Sequence, residues 1–495
     1  MKIALVWPNG FDVKYVMPLP MGYLKSNLNQ RHDVRIIDCS INNIKAGSQK
    51  FVKILRDFNP DMVCTSCWAP TYKEAIRILK VSKAINQEVI TIIGGVQVTS
   101  YADYIIDHES CIDFMFLGES DLSFPMFVEE MDSGNMNFTE IKGLMFKDAN
   151  GNVVKNDVER TDDLDKIIIP DYKGMDLQRY VKSGYKFSTL HERNAPVWIT
   201  RGCPYRCQYC AAPQLNGRLI RAHSVEYSMK WIRYLHDEEK MDHINIIDDN
   251  FTFDINYAKE FCNAMINENI GVTMGTPNGI RMQRLDEELV CLMKKAGWEN
   301  LVVAPESGSV STLERMKKDL KPDVVPPIVK MIRKNGLKVH GFFILGYPGD
   351  TKEDLETTLK FAQDCDFDFF FLNNFQALPG TPIFDDLVKK GEIKADFLPK
   401  NYSDGERTYT PESLKDVNFA KLVLTQYAKL YFKSPGKLMY ALKMFPPKLM
   451  AKKVTNNFMN SFRKHAEVQT ISDEEFVSVL KSITHQRKKD LAISM

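Results

Sequence analysis

The chain has no run of about 18 uncharged apolar residues, so no segment of it is built to span a bilayer as a helix. It has almost no net charge. Its 65 Lys and Arg against 64 Asp and Glu leave +1, which gives no global pull toward nucleic acid, and no nucleic-acid partner is expected. Cysteine is sparse, 10 in 495 residues, too dilute for a disulfide scaffold. Internal repeats and low-complexity tracts are absent, which argues against a solenoid or a disordered array. The opening "MKIALVWPNG" is broken by Pro8, Asn9 and Gly10 too early for a secretory leader. These absences predict a cytoplasmic protein. At 495 residues it exceeds what one core holds, and its apolar content of 44% is ordinary, so two large domains and an appendage are expected.

What is present is rhythm. Residues 2–119 repeat a short β-branched run, a turn and a helical segment. The runs are "KIALVWP", "VRIIDCS", "MVCTSCW", "EVITIIGG" and "CIDFMFLGE", which predicts a doubly wound, Rossmann-like parallel sheet of five strands with ligands at the strands' carboxyl ends. "GLMFKDANGNVVKN" reads as a hairpin turning at Asn150 and Gly151. From about residue 195 a second series runs through "PVWITRG", "HINIIDDNF", "GVTMGTPNGIR", "NLVVAPESGS", "LKVHGFFILGYPG" and "DFFFLNNFQALPG". Six βα units fit a partial (β/α)6 barrel, whose functional groups sit on the loops after the strands. The expected division is a first domain at 1–140, hairpin and linker at 141–194, barrel at 195–390 and a helical C-terminal region at 391–495.

The chemistry concentrates in "RGCPYRCQYCAAP", where Cys203, Cys207 and Cys210 follow the first barrel strand. Three thiolates cannot close a structural zinc site, which wants four ligands. No fourth cysteine is near, and His191 and His223 are distant along the chain. A three-thiolate loop at this place suggests a four-iron four-sulfur cluster with one iron left open for substrate.

This stretch resembles the signature of the radical S-adenosylmethionine (SAM) superfamily, in which three cysteines at this spacing hold the cluster and SAM chelates the open iron. The resemblance implies reductive cleavage of SAM to a 5′-deoxyadenosyl radical and an external electron donor of the flavodoxin or ferredoxin type. Tyr209 matches the aromatic position bordering adenine. Asp248 and Asp249, at the end of the second strand, are expected near the SAM ammonium group, and Arg281 near its carboxylate. Glu306 and Ser307 match the ribose-contacting position, and Gly346 lies in the stretch matching the fifth-strand motif beside adenine.

A doubly wound domain ahead of such a barrel resembles the cobalamin-binding branch of the superfamily, which holds class B methyltransferases and the anaerobic cyclase of chlorophyll precursors. The matching stretches are "PLPMGYL", "CTSCW", "IIGGVQ" and "FLGESD". They nominate Pro20, Gly22, Thr65, Ser66, Trp68, Gly94, Gly95, Val96, Gly118 and Glu119 as cobalamin contacts. One departure matters: the Asp-x-His-x-x-Gly element that supplies a lower cobalt ligand elsewhere is missing, since "NGFDVKYVM" stands there. Cobalt's lower face would then lack a protein imidazole. Cys64 and Cys67, in and after a buried strand, are expected core residues.

The resemblance implies methyl transfer through methylcobalamin to an unactivated carbon or a phosphinate phosphorus, with a cyclisation, oxidation or rearrangement as the alternative. A non-catalytic cobalamin or iron–sulfur sensor is a further one. Methylthiotransferases are disfavoured, because they need three more cysteines at other spacings and a basic C-terminal barrel. Between Lys433 and Lys464 stand eight Lys or Arg and no acid, interleaved with Tyr440, Phe445, Phe458 and Phe462. Two readings stand for it: a solvated helical face packed on the barrel, or a platform for an anionic or lipid-like substrate or for a membrane surface.

Overall fold

The computed structural model describes residues 1–9, 16–184, 191–396, 409–432, 434–444 and 472–494. Seven strands form the first sheet: β1 (Lys2–Trp7), β2 (Asp33–Asp38), β3 (Met62–Ser66), β4 (Ile90–Gly94), β5 (Phe114–Phe116), β6 (Leu144–Lys147) and β7 (Val153–Lys155). Their order is β2-β1-β3-β4-β5-β6-β7. The first five are parallel, as their unbroken apolar runs require when helices cover both faces. The order 2-1-3-4-5 places the switch point between β1 and β3. There Trp7 and Trp68 meet edge to face, ring centroids 6.2 Å apart. The hairpin turns at Gly151 (φ 83°), whose N–H donates to the Asp148 carbonyl, and its strands extend this sheet in antiparallel fashion.

The six expected barrel strands are β8 (Asn194–Val197), β11 (His243–Ile246), β12 (Thr273–Gly275), β13 (Asn300–Glu306), β14 (Lys338–Leu345) and β15 (Phe369–Asn374). They pair in parallel as β12-β11-β8 and β13-β14-β15, and the bridges Met274–Trp298 and Ile280–Val303 join the halves. Two short strands, β9 (Thr200–Arg201) and β10 (Arg221–Ala222), form an antiparallel ribbon beside the first barrel strand. Several helices start where a side chain takes up orphan N–H groups. In the helix Lys352–Asp364, Thr351 and Asp354 cap each other's backbone in a reciprocal box. Outward-facing Val197, Ile244, Ile246, Met274, Val303 and Phe343 are buried against the helices. Met17, Leu19 and Tyr23 of the first domain join that same core, so the two domains share packed surface.

The barrel's inward side is polar at its floor. His243 is buried, with Nδ1 2.7 Å from Thr273 Oγ1 and Nε2 3.2 Å from Asn245 Oδ1, and it stacks on His191 at 4.4 Å. Burial, with His191 beside it, pushes His243 down to about 3. An unfolded imidazole takes a proton near pH 6.5, so between pH 6.5 and 3 the unfolded chain holds more protons at this residue. Stability from this group is therefore present at neutral pH and falls as pH falls. Comparing urea unfolding at pH 7 and pH 5, His243→Gln is expected to lose about 2 kcal/mol less than wild type over that interval.

The C-terminal helices divide. Phe419–Phe432 lies on the barrel, with Tyr427 stacked on Phe369 at 5.7 Å, and in Pro435–Met444 Tyr440 OH stands 2.8 Å from His340 Nε2. The helix Asp473–Ser494 instead packs on the first domain, where Asp473 pairs with Arg77 at 2.8 Å and Phe476 and Ile483 are buried. Of the basic, aromatic tract only Tyr440 and its immediate neighbours are described. Phe445, Phe458 and Phe462 lie outside the described residues.

Candidate active site

The cysteine loop begins at a residue that has to be glycine. Gly202 has φ 96°, and a Cβ there would lie 2.1 Å from the Leu219 carbonyl oxygen. Beyond it Cys203, Cys207 and Cys210 are half-buried and unlinked by disulfides. Three backbone bonds fix the loop: Cys203 N–H to the Gly217 carbonyl (3.1 Å), Gln208 N–H to the Met316 carbonyl (2.9 Å), and Ile383 N–H to the Gln208 carbonyl (3.2 Å). Burial pushes the Cys210 thiol up to about 12, and Cys207 and Cys203 add to the rise, so the three feel one another's charge. Among the described residues no three His, Cys, Asp or Glu side chains close around a single ion. Three soft donors without a fourth protein ligand fit, in kind, a four-iron cluster with one open position.

Around the loop the structure gathers four of the expected SAM residues. Tyr209 OH donates to Glu306 Oε1 at 3.0 Å, and its ring meets Tyr347 edge to face at 6.3 Å. Glu306 takes a left-handed backbone (φ 67°), strained for a residue with a side chain, and is buried. Lys318, which the sequence did not nominate, pairs with Glu306 at 3.0 Å and reaches Tyr209 OH at 3.3 Å. Arg281 stands with Nη1 4.0 Å from Cys207 Sγ, its guanidinium 3.5 Å above the Tyr205 ring. Asp249 accepts from Asn216 Nδ2 at 2.7 Å, and its charge acts on Cys203 and Cys210.

Three expected residues turn elsewhere. Asp248 is buried, and its carboxylate accepts the N–H groups of Ile199 and Thr200, both at 2.8 Å. Burial pushes its carboxyl up to about 8, and what it does here is hold the end of the first barrel strand. The Ser307 hydroxyl lies 2.7 Å from Thr358 Oγ1, on the helix side of its strand. At Gly346 the open side faces the Phe419 ring of a C-terminal helix. Adjacent strand residues point to opposite faces, which sequence alone does not resolve.

In the first domain, Thr65, Ser66, Trp68, Gly94, Gly95 and Val96 cluster at the carboxyl ends of β3 and β4, where Ser66 is level with Gly94. Gly95 has φ 99°, and a Cβ there would stand 2.5 Å from the Cys67 carbonyl oxygen. The buried Thr65 hydroxyl has no hydrogen-bond partner among the described residues, an orphan of the kind a polar side arm of a ligand would satisfy. Cobalamin thus fits this end of the sheet. Gly22 is different: its Cα packs against Met175, whose Sδ would lie 2.6 Å from a Cβ, while Pro20 is exposed and Gly118 packs on Val158. The Glu119 carboxylate pairs with Arg201 and Arg221 from the barrel's ribbon. The segment around "NGFDVKYVM" lies mostly outside the described residues. Cys64 and Cys67 are buried core residues.

Comparison with known proteins identifies both domains. Residues 197–362 match the radical SAM superfamily, and residues 13–128 match the B12 binding domain. The chain is 30% identical to an uncharacterised methyltransferase of Pyrococcus horikoshii, over 78% of this chain and 83% of that one. It is 26% identical to the cytidylyl-2-hydroxyethylphosphonate methyltransferase of Streptomyces wedmorensis, over 76% and 78% of the two chains. Among solved structures, the cobalamin-dependent SAM radical enzyme OxsB, with aqua-cobalamin and SAM bound, superposes with a TM-score of 0.69 at 15% identity, covering 100% of this chain and 80% of that one. The radical SAM methyltransferase TsrM of Kitasatospora setae gives 0.68 at 15%, covering 86% and 88%. At that identity the two structures speak to the fold.

Proposed function

The chain belongs to the cobalamin-binding branch of the radical SAM superfamily, and from that premise we propose that it is a methyltransferase acting on an unactivated carbon or a phosphinate phosphorus of a small molecule. The observation that carries the reading is the tie between its two sites: Arg201, two residues before the first cluster cysteine, is paired with Glu119 and Asp121, which follow β5 of the cobalamin sheet. A methyl group moves only between centres in contact range, and this tie keeps the two loops together.

When bound, the cluster with SAM would supply the 5′-deoxyadenosyl radical and cobalamin the methyl group. Cys203, Cys207 and Cys210 would hold the cluster. Tyr209 would border adenine, Glu306 would accept from the ribose hydroxyls, Arg281 would pair with the SAM carboxylate, and Asp249 would face its ammonium group. Thr65, Ser66, Trp68, Gly94, Gly95 and Val96 would line the corrin side. Electrons would come from an external flavodoxin or ferredoxin type donor. No helix among the described residues is long and apolar enough to cross a membrane, in keeping with a protein working in the cytoplasm.

The test uses holoprotein reconstituted anaerobically, a chemical reductant, and SAM labelled in its methyl group. Label on cobalamin, with S-adenosylhomocysteine released, is the expected result. Formation of 5′-deoxyadenosine with no label on cobalamin would favour the cyclisation or rearrangement alternative, and formation of neither would end the enzymatic reading.

A further inference from the structure

Four charged side chains are buried where the domains meet. Arg201, Arg221, Glu119 and Asp121 expose 2%, 4%, 7% and 11% of their side-chain surface. Arg201 Nη1 donates to Asp121 Oδ2 at 2.6 Å and to Glu119 Oε2 at 3.2 Å, while its Nη2 reaches Asp121 Oδ1 at 3.3 Å. Arg221 forks onto both oxygens of Glu119 and also donates to the carbonyls of Thr161 (2.9 Å) and Asn216 (3.0 Å). Both arginines come from the barrel's ribbon and both acids from the loop after β5.

Stability does not explain the arrangement, because a buried ion pair repays its desolvation poorly and an apolar replacement usually does as well. The register supplies a better reason. Arg201 and Arg221 are direct cross-strand partners in the antiparallel ribbon of β9 and β10. Two like charges opposite each other in a ribbon repel. Within the barrel Arg201 feels the charge of Asp249 without a direct bond to it, and the acids that pair directly with the two arginines belong to the other domain. The cysteine loop hangs on the ribbon: it leaves β9 through Gly202 and returns to β10 past Gly217. On the far side Arg160, from the linker after the β6–β7 hairpin, donates to the carbonyls of Leu215 (2.9 Å) and Gln214 (3.0 Å), holding the same excursion from a second direction.

We propose that Arg201 and Asp121 form a register pin, positioning residues by which the cobalamin domain sets the conformation of the cysteine-bearing ribbon and its distance from the cobalamin face. The claim rests on the methyltransferase reading for its catalytic consequence only. Its structural consequence stands by itself: loosening an acid in one domain releases a loop in the other.

Two measurements on Asp121→Asn and Arg201→Lys decide it. In the chain without cofactors, hydrogen exchange followed by mass spectrometry is expected to speed up about 10-fold or more in peptides covering 200–217 of Asp121→Asn, with β13–β15 peptides unchanged. Equal acceleration everywhere, or none at 200–217, overturns the pin. In holoprotein with SAM and reductant, S-adenosylhomocysteine formation, which needs both centres, should drop ~10- to 100-fold, as a misplacement near 1 Å does. Formation of 5′-deoxyadenosine per bound cluster should stay within about twofold, and the double variant should be no worse than the worse single one. Parallel loss of both products overturns the positioning role. If wild type itself forms no S-adenosylhomocysteine, the methyltransferase reading fails, and the exchange result alone then sustains or overturns the pin.

Discussion

Cys207→Ala protein, reconstituted anaerobically with iron and sulfide, is expected to show no iron–sulfur absorption and to release no 5′-deoxyadenosine from SAM, a loss of at least about 10³-fold, as when a reacting group itself is removed. The same holds for Cys203 and Cys210. The reason is count: with the three thiolates proposed as ligands and the fourth position held for SAM, removing one leaves two, and the loop itself carries no His, Asp or Glu. Cys207 is half-buried on a loop fixed by backbone bonds rather than by its side chain. Its replacement should therefore leave the unfolding free energy within about 1 kcal/mol of wild type. Cys67→Ala is the contrast. That thiol is buried in the core of the first sheet, and its variant should keep the cluster while losing on the order of 1–2 kcal/mol of stability. Absorption spectra and urea melts of the two variants side by side check both statements.

The fold was legible because it is written in local periods. Five β-branched runs at even intervals in the first domain and six in the barrel are all strands in the structure. The cysteine loop was legible because ligand spacing and place after a strand are both sequence properties. What stayed hidden needs the third dimension. Asp248 and Asp249 are neighbours, and only the strand's face decides that Asp248 holds backbone N–H groups while Asp249 lies by the cysteines. Ser307 beside Glu306 is the same case. The pin was beyond reach for another reason: Arg201 and Glu119 are separated by 82 positions, and "RG" and "GES" carry no mark of each other until the domains dock. Lys318 was missed because a lysine just past a helix is ordinarily read as a solvated cap.

That lysine leads to the second large effect. Lys318 and Glu306 form an ion pair with side chains 9% and 11% exposed. Lys318→Met should cost about 3–5 kcal/mol in urea unfolding, since it strands the Glu306 carboxylate in the interior without its cation. Glu306→Gln alone strands the ammonium group in the same way. The double variant removes both charges and should regain most of the stability, because two neutral groups of similar size satisfy the site nearly as well. Binding should not follow. If Glu306 accepts from the ribose hydroxyls, S-adenosylhomocysteine affinity measured by calorimetry falls ~10- to 100-fold in Glu306→Gln, the worth of a charged hydrogen bond. It should stay low in the double variant although folding is restored. Affinity that recovered along with stability would mean the pair is scaffolding and the ribose is held elsewhere. The strained backbone at Glu306 argues for the first outcome, because a left-handed glutamate at a strand end persists only where the surrounding structure over-determines it, and here Tyr209 and Lys318 do so from two sides.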